Sequence, residues 1–329
     1  MSRLVFLFVI CLTTWSVADP LHEAAAQGNV SSIGELIRKG SKIDARDKQG
    51  NTAFSVAFKK YLDLGTNLNC QAAHLFLASM RELLRLGADP DILEKSGTSP
   101  LRYALQNHRV DIFRSLLNID NPEFSAEFAS DLLLQAINKD FVNVVHIFLE
   151  AGLCPNIAAK NAYYPLVHAV RLKRLDIVKM LLAAGANPDI ASDGDSNTLL
   201  HYAARFKSSE EIVQALLDAG ANIESMESFG YTPLHYAITY DSPAIAKVLL
   251  RNNANYNAVS HNHMTMLEAA VVVASVEMVK VLLKTGADPY VCDKAGRTPL
   301  QQAEAYQKNS GNPGPLKEIA KILRAWRPN

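Results

Sequence analysis

The sequence predicts an α-rich solenoid, a stack of about nine helix–turn–helix units that occupies residues 19–329. Two blocks of residues carry this prediction, and both return along the chain at a period of about 33 residues. A third observation is the spacing of apolar residues within each period, which fits two short amphipathic helices. One such unit cannot bury its own apolar face, so the units must gain their stability by stacking on their neighbours.

The first block is a short motif that ends in alanine. It reads TPLHYA at residues 232–237, TLLHYA at 198–203 and TPLQQA at 298–303, with weaker copies SPLRYA at 99–104, YPLVHA at 164–169 and TMLEAA at 265–270. The final alanine marks positions 24, 57, 104, 136, 169, 203, 237, 270 and 303. Only the interval between 57 and 104 departs from the period. In the fullest copy, Thr232 suits the N-cap of a helix and Pro233 suits its first turn.

The second block ends the second helix of each unit. It reads LLAAGANPD at residues 181–189, and similar runs occur at 83–91, 216–222 and 282–289. The glycine of this block stands where a left-handed residue commonly ends a helix. In the seventh unit Asn252-Asn253 replaces it, and Ile245, Val248 and Leu249 give the helical spacing that precedes it.

These two blocks at this period resemble the ankyrin repeat, whose pattern is 33 residues with T-P-L-H-x-A. The resemblance covers residues 19–326 and implies that a β-hairpin finger connects successive units. It also implies that His22, His201 and His235, in the T-P-L-H slot, form hydrogen bonds at the junction of finger and helix and do not catalyse. Ankyrin-like proteins bind other proteins, usually on a concave side built from finger tips and first helices.

Residues 1–18 differ from the remainder of the chain. Arg3 precedes an apolar run at residues 4–12, and Ser16-Val17-Ala18 resembles a signal-peptidase site. We therefore expect a cleavable signal peptide and an exported protein, periplasmic or secreted, of bacterial origin; an uncut N-terminal anchor is the alternative. No later apolar run is long enough to span a bilayer, so no membrane span is expected in the mature chain.

Two irregular places interrupt the period. An insertion near residues 61–78 falls between the two helices of the second unit, either as a partner-binding segment or as a lengthened helix that packs on its neighbour. At the other end, residues 316–326 predict a capping helix, with Lys317, Lys321, Arg324 and Arg327 on its outer face.

Composition and motifs argue against several classes of function. Lys plus Arg equals Asp plus Glu at 33 each, which does not suit a nucleic-acid binder. No catalytic or cofactor motif occurs, so we predict neither an enzyme nor a cofactor, and no metal site. His261 and His263 leave a metal- or small-ligand-binding protein as the alternative. Cys70, Cys154 and Cys292 are too few and too widely spaced for a disulfide framework, and pairing with another molecule stays open.

A row of apolar and aromatic side chains supplies the candidate site for another protein. The residue three positions after the marker alanine is Leu172, Phe206, Tyr240, Val273 and Tyr306 in units five to nine. Phe229 and Tyr231 join the row from a finger, and Arg171 and Arg205 frame it with positive charge. Aromatic residues dominate binding hot spots, so we predict that this C-terminal half grips the partner. The alternative is that these side chains pack against the next repeat.

Overall fold

The computed structural model describes residues 19–64, 71–90, 99–117, 126–158, 164–191, 196–259, 264–309, 311 and 313–326. The chain divides into two compact units, Met1–Cys154 and Pro155–Asn329. The predicted signal peptide, His261, His263 and Cys70 lie outside the described residues. Within them, regular structure is helical apart from two isolated antiparallel bridges, Ala191 with Thr198 and Val259 with Thr265. No helix in these ranges is long and apolar enough to cross a membrane.

The first unit is built from helix pairs. Its helices are α1 Pro20–Ala26, α2 Val30–Arg38, α3 Ala53–Asp63, α4 Gln71–Arg85, α5 Pro100–Gln106, α6 Val110–Leu117, α7 Ala126–Asn138 and α8 Val142–Glu150. The second helices α2, α4, α6 and α8 contact one another in sequence order. Each pair therefore covers the apolar face that its neighbour cannot bury alone.

The second unit repeats the arrangement. Its helices are α9 Pro165–Arg171, α10 Leu175–Ala183, α11 Leu199–Arg205, α12 Glu210–Asp218, α13 Pro233–Thr239, α14 Pro243–Arg251, α15 Met266–Val272, α16 Val276–Thr285, α17 Pro299–Asn309 and α18 Gly314–Ala325. The first helices α9, α11, α13, α15 and α17 form one contacting row, and the second helices form another. The predicted α-rich stack of helix–turn–helix units is confirmed.

The core of the second unit consists of the motif residues that the period picks out. The marker alanines Ala203, Ala237, Ala270 and Ala303 are fully buried, and their small side chains let successive first helices approach closely. The first leucine of each Leu-Leu pair, such as Leu249 in α14, is also fully buried. Burial of one leucine side chain contributes roughly 1.5–3 kcal/mol.

The first helices begin at hydrogen-bonded caps. Thr232 is the N-cap of α13 and Pro233 is its first residue, as the sequence predicted. The backbone N–H of Thr232 donates to Nδ1 of His235 at 3.1 Å, and the Thr232 hydroxyl accepts from the N–H of His235 at 3.5 Å. Ser55 and Glu268 close the same reciprocal box at α3 and α15. The T-P-L-H motif therefore caps the N-terminus of each of these helices.

The described fingers close in tight turns. In the turns at residues 47–51, 227–231 and 293–297, the first backbone N–H donates to the last carbonyl at 2.9, 3.2 and 2.9 Å. The carboxylate of the first residue accepts the last N–H in return, at 2.8, 3.0 and 2.8 Å. In two other fingers, isolated antiparallel bridges join Ala191 to Thr198 and Val259 to Thr265, the pairing of a short β-hairpin. In Asp293, the hydrogen bonds from the backbone N–H of Arg297 and neighbouring donors lower the pKa to about 2.

The insertion lengthens the helices that flank it. Its described residues belong to the end of α3 and the start of α4, and Tyr61 is buried. The Tyr61 hydroxyl donates to Oδ2 of Asp111 at 2.8 Å and accepts from Nη2 of Arg109 at 3.2 Å. Burial, together with the Asp111 carboxylate, raises the pKa of Tyr61 to about 12. The packing alternative therefore describes this part of the insertion.

The last helix begins slightly before the predicted boundary, at Gly314 instead of residue 316. Ile319 and Leu323 are buried on one side, whereas Lys317, Lys321 and Arg324 are exposed on the other. This amphipathic division is what a terminal repeat requires, since no further repeat covers it in the described residues.

Candidate protein-binding face

Two of the predicted anchors lie at the ends of first helices. Phe206 is the C-cap of α11 and Tyr240 is the C-cap of α13. Their side chains are 48% and 39% exposed. Both rings are therefore accessible to a partner, although Tyr240 also contacts Arg205 of the preceding repeat.

Each exposed ring rests on a tyrosine one helical turn earlier. The ring centroids of Tyr202 and Phe206 are 4.4 Å apart, and those of Tyr236 and Tyr240 are 5.6 Å apart. Residues four positions apart on a helix are neighbours on its surface, which explains both pairs. The sequence analysis missed Tyr202 and Tyr236. The signal was present in the motif itself, where a tyrosine directly precedes the marker alanine in both TLLHYA and TPLHYA.

Two arginines connect the rings of successive repeats. The Arg171 guanidinium carbon lies 5.7 Å from the centroid of Tyr202, on the next first helix. Arg205 lies 5.2 Å from the Phe206 centroid and 5.5 Å from that of Tyr240. At exposed sites each cation–π contact contributes about 0.5–1 kcal/mol. We name Arg171, Tyr202, Arg205, Phe206, Tyr236 and Tyr240 the aromatic face.

A groove continues the aromatic face toward α15. Its cavity has a volume of about 260 Å³ and is lined by side chains of a finger, α13 and α15: Phe229, Tyr231, Tyr236, Thr239, Tyr240, Met264, Ala269, Val272 and Val273. Phe229 is 64% exposed on the finger, while Tyr231 is half-buried. The lining is mostly apolar or aromatic, as binding cavities for side chains and ligands generally are.

Two valines at the end of α15 line the groove. Val273, the predicted residue, is half-buried, and the preceding residue Val272 is 49% exposed. Val272 occupies the position of Arg205 in its own repeat, a position that is exposed in α9, α11 and α13 as well. Val272 was not predicted, although the exposure of this position repeats from one unit to the next.

The ends of the predicted row do not join the aromatic face. Leu172 is exposed at the C-cap of α9 but is not among the residues that line the groove. Tyr306 is exposed within α17, which continues to Asn309, so its slot is inside a helix and not at a helix end. The row in the structure therefore runs from Arg171 to Val273.

The histidines of the motif hold the finger against the helices. Nε2 of His201 donates to the Tyr231 carbonyl at 2.9 Å, and its Nδ1 accepts from the Thr198 N–H at 3.2 Å. Nε2 of His22 lies 2.9 Å from the Asn51 carbonyl in the equivalent position. These contacts match the structural role that the resemblance implied. They fix the backbone of Tyr231, and with it one wall of the groove.

His235 is buried more completely than its hydrogen bonds would suggest. It is 1% exposed, and its Nε2 has no hydrogen-bond partner in the described part of the chain. Burial, and to a lesser degree the charge of His201, lowers the pKa of His235 to about 4. The ring is therefore neutral near pH 7 and belongs to the helix cap rather than to any reactive site.

No metal centre is found among the residues that the structure describes. Groups of three or more histidine, cysteine or acidic side chains placed to hold an ion do not occur there. His261 and His263 lie outside those residues, so the metal alternative stays a prediction. Cys154 and Cys292 are free and exposed.

The aromatic face and the groove lie inside a segment with a family match. The model "Ankyrin repeats (3 copies)" matches residues 166–260 and 200–293, and the model "Ankyrin repeat" matches residues 19–48. The chain contains ankyrin repeats. The resemblance is thereby supported for residues 19–48 and 166–293, and the candidate binding residues from Arg171 to Val273 all lie within the second of these ranges.

Relatives with ankyrin repeats occur in mammals and in a virus. Human Ankyrin repeat and SOCS box protein 3 is 34% identical over 184 residues, covering 55% of this chain and 35% of that protein. The bovine protein of the same name is 34% identical over 187 residues, with the same coverage. The fowlpox virus ankyrin repeat protein FPV022 is 28% identical over 235 residues, covering 65% of this chain and 39% of the viral protein.

The matched region is only part of these proteins. The chain spans about a third of the length of the mammalian relatives that it matches, as the 35% coverage states. Their names give them a SOCS box in addition to ankyrin repeats. The bacterial origin expected from residues 1–18 receives no support from these relatives and stays a prediction.

Proposed function

We propose that this chain is an exported, non-catalytic ankyrin-repeat scaffold that binds another protein through the aromatic face and the adjoining groove. The surface is formed by first helices and a finger, the part of an ankyrin stack that we expect to be concave. Export rests on the signal-like pattern of residues 1–18.

The observation that carries the proposal is the continuity of exposed rings across successive repeats. Phe206, Tyr240 and Phe229 are exposed side by side with the groove, and two arginines join their repeats. Contiguous exposed apolar surface of this kind is typical of protein–protein interaction sites, and Tyr and Arg are enriched among binding hot spots.

The groove is large enough for one side chain of a partner protein. The groove offers about 260 Å³. That volume suits one side chain of a larger partner whose remaining contacts lie on the aromatic face.

Affinity capture tests this function. Residues 19–329 are immobilised and exposed to extract, alongside a double variant with Phe206→Ala and Tyr240→Ala. We expect one partner to be retained by the parent protein and lost from the double variant, with melting temperature changed by only a few degrees, since both rings are substantially exposed.

The matched control is Tyr103→Ala in the first unit. Tyr103 has an exposure similar to that of Tyr240 and directly precedes a marker alanine. If this variant retains the partner, the removal of an exposed tyrosine elsewhere is not sufficient to abolish capture. If the double variant captures the partner as well as the parent does, or unfolds, the aromatic face is not the binding site.

A further inference from the structure

The two arginines of the aromatic face differ from five other arginines of the described chain, each of which forms an ion pair with a carboxylate. The paired arginines and their partners are Arg85 with Glu82, Arg102 with Asp131, Arg109 with Asp111, Arg297 with Asp293 and Arg324 with Glu304. Arg171 and Arg205 are exposed and form no ion pair with any described residue. Within the described part of the chain, their guanidinium groups contact aromatic rings and no carboxylate.

Two lysines extend this positive surface. Lys173 and Lys207 follow the ends of α9 and α11, with left-handed φ values of 57° and 48°. Nζ of Lys173 donates to the Lys207 carbonyl at 3.2 Å, so the two turns are adjacent. The whole chain has a formal net charge of zero. The positive charge at the ends of α9 and α11 is therefore segregated within a neutral molecule.

The surface changes character at α13. The turn after α13 carries Asp241 where the two preceding turns carry lysine, and its Oδ1 accepts a hydrogen bond from Ser275 at 2.5 Å. The groove-lining residues beyond this point, Met264, Ala269, Val272 and Val273, are all apolar. The surface thus has a cationic end at α9 and α11 and an apolar end at α13 and α15.

We infer that the partner presents an acidic segment with a neighbouring aromatic residue, the carboxylates over Arg171 and Arg205 and the aromatic ring in the groove. This inference rests on the proposed function and names the chemistry of its partner. Guanidinium N–H groups match carboxylate oxygens in geometry as well as in charge.

The groove can hold the aromatic part of such a segment. An apolar cavity of roughly 150 Å³ is known to accept benzene. The volume of about 260 Å³ therefore leaves room for one larger ring. The rings of Tyr236 and Tyr240 in its wall supply edges and faces for aromatic contact.

Peptide selection tests the chemistry without assuming a sequence. A random dodecapeptide display library is selected on residues 19–329 after removal of binders to the Phe206→Ala, Tyr240→Ala double variant. We expect the surviving peptides to be enriched in Asp and Glu and to share one Phe, Tyr or Trp. The strongest peptide is then synthesised with a fluorescent label for measurement of Kd.

Conservative variants separate the charge of Arg205 from its packing. Arg205→Met keeps an unbranched apolar side chain beside Phe206 and Tyr240 but removes the charge, and we expect about tenfold weaker binding. Arg205→Lys should stay within about threefold of the parent, because the charge remains. Lys321→Glu on the outer face of α18 is the control. It also makes the net charge more negative, and we expect binding to be unchanged.

The outcomes distinguish this inference from the function beneath it. Peptides that need Phe206 and Tyr240 but show no excess of acidic residues overturn the inference and leave the binding face intact. If no selected peptide depends on these rings, both are overturned. Binding to phosphatidylserine vesicles that needs Arg171 and Arg205, without selection of acidic peptides, would assign the cationic end to a membrane surface instead.

Discussion

The buried histidine of the α13 cap makes the stability of this protein depend on pH. His235 is nearly inaccessible, and its pKa is lowered from 6.5 to about 4, chiefly by burial. The unfolded chain therefore binds this proton more tightly than the native protein does. Acid protonation favours unfolding, so the stabilisation is complete above about pH 6.5 and is lost as the pH falls toward 4.

The size of the effect follows from the two pKa values. At 1.36 kcal/mol for each pH unit, the interval from 6.5 to about 4 corresponds to about 3 kcal/mol, which is reached only below pH 4. At pH 5 the same relation gives about 2 kcal/mol, because the unfolded histidine is almost fully protonated there and the native one is not. A loss of this size is a large share of the stability of an ordinary domain.

The substitution His235→Gln removes the titration and keeps the cap. The chain itself contains the precedent, since Gln301 occupies the same position in α17. Its Oε1 accepts from the Thr298 N–H at 2.9 Å, and its backbone N–H donates to Oγ1 of Thr298 at 3.3 Å. We expect His235→Gln to lie within about 1 kcal/mol of the parent at pH 7 and to be about 2 kcal/mol less sensitive to a change from pH 7 to pH 5.

Urea unfolding at pH 7 and pH 5, followed by circular dichroism, measures this difference. His74→Gln is the matched control, because His74 is exposed on α4 and the variant should keep the pH dependence of the parent. If His235→Gln loses as much stability between the two pH values as the parent does, the acid sensitivity arises elsewhere and the argument from burial is wrong.

Two further predictions concern backbone strain and the insertion. Ala274 has a left-handed φ of 54°, so Ala274→Gly should raise the free energy of unfolding by about 1 kcal/mol in thermal melts. Ala246→Gly within α14 is the control and should lower it by a similar amount. If both variants change stability in the same direction, the backbone at Ala274 is not strained. Tyr61→Phe should cost about 1 kcal/mol in urea unfolding because Asp111 loses a partly buried hydrogen bond, and a neutral result would show that this contact is dispensable.

The fold could be predicted because its decisive interactions are local and repeated. Thr232 caps α13 through a residue three positions away, and Pro233 begins the helix that the motif marks. Such contacts join residues that are close in the sequence, so the repeating motif is sufficient to predict them.

The candidate site was predicted only in part, because its contacts join residues that are far apart in the sequence. Phe206 and Tyr240 follow from their slot in the repeat, and the two arginines follow from their place beside it. Tyr202 and Tyr236 required the contact between one first helix and the next, and the groove that Val272 and Val273 line required the packing of α13 against α15.

The amino-acid sequence by itself determined the repeating helices, their caps and the glycine or asparagine residues that end them. Tertiary structure decided which side chains of equivalent slots meet and which face solvent. His235 and His201 share one motif, yet only His201 reaches a finger carbonyl in the described residues. The physical reason is separation along the chain: a cap joins residues three positions apart, whereas each contact between repeats joins residues about 33 positions apart and is fixed only by packing.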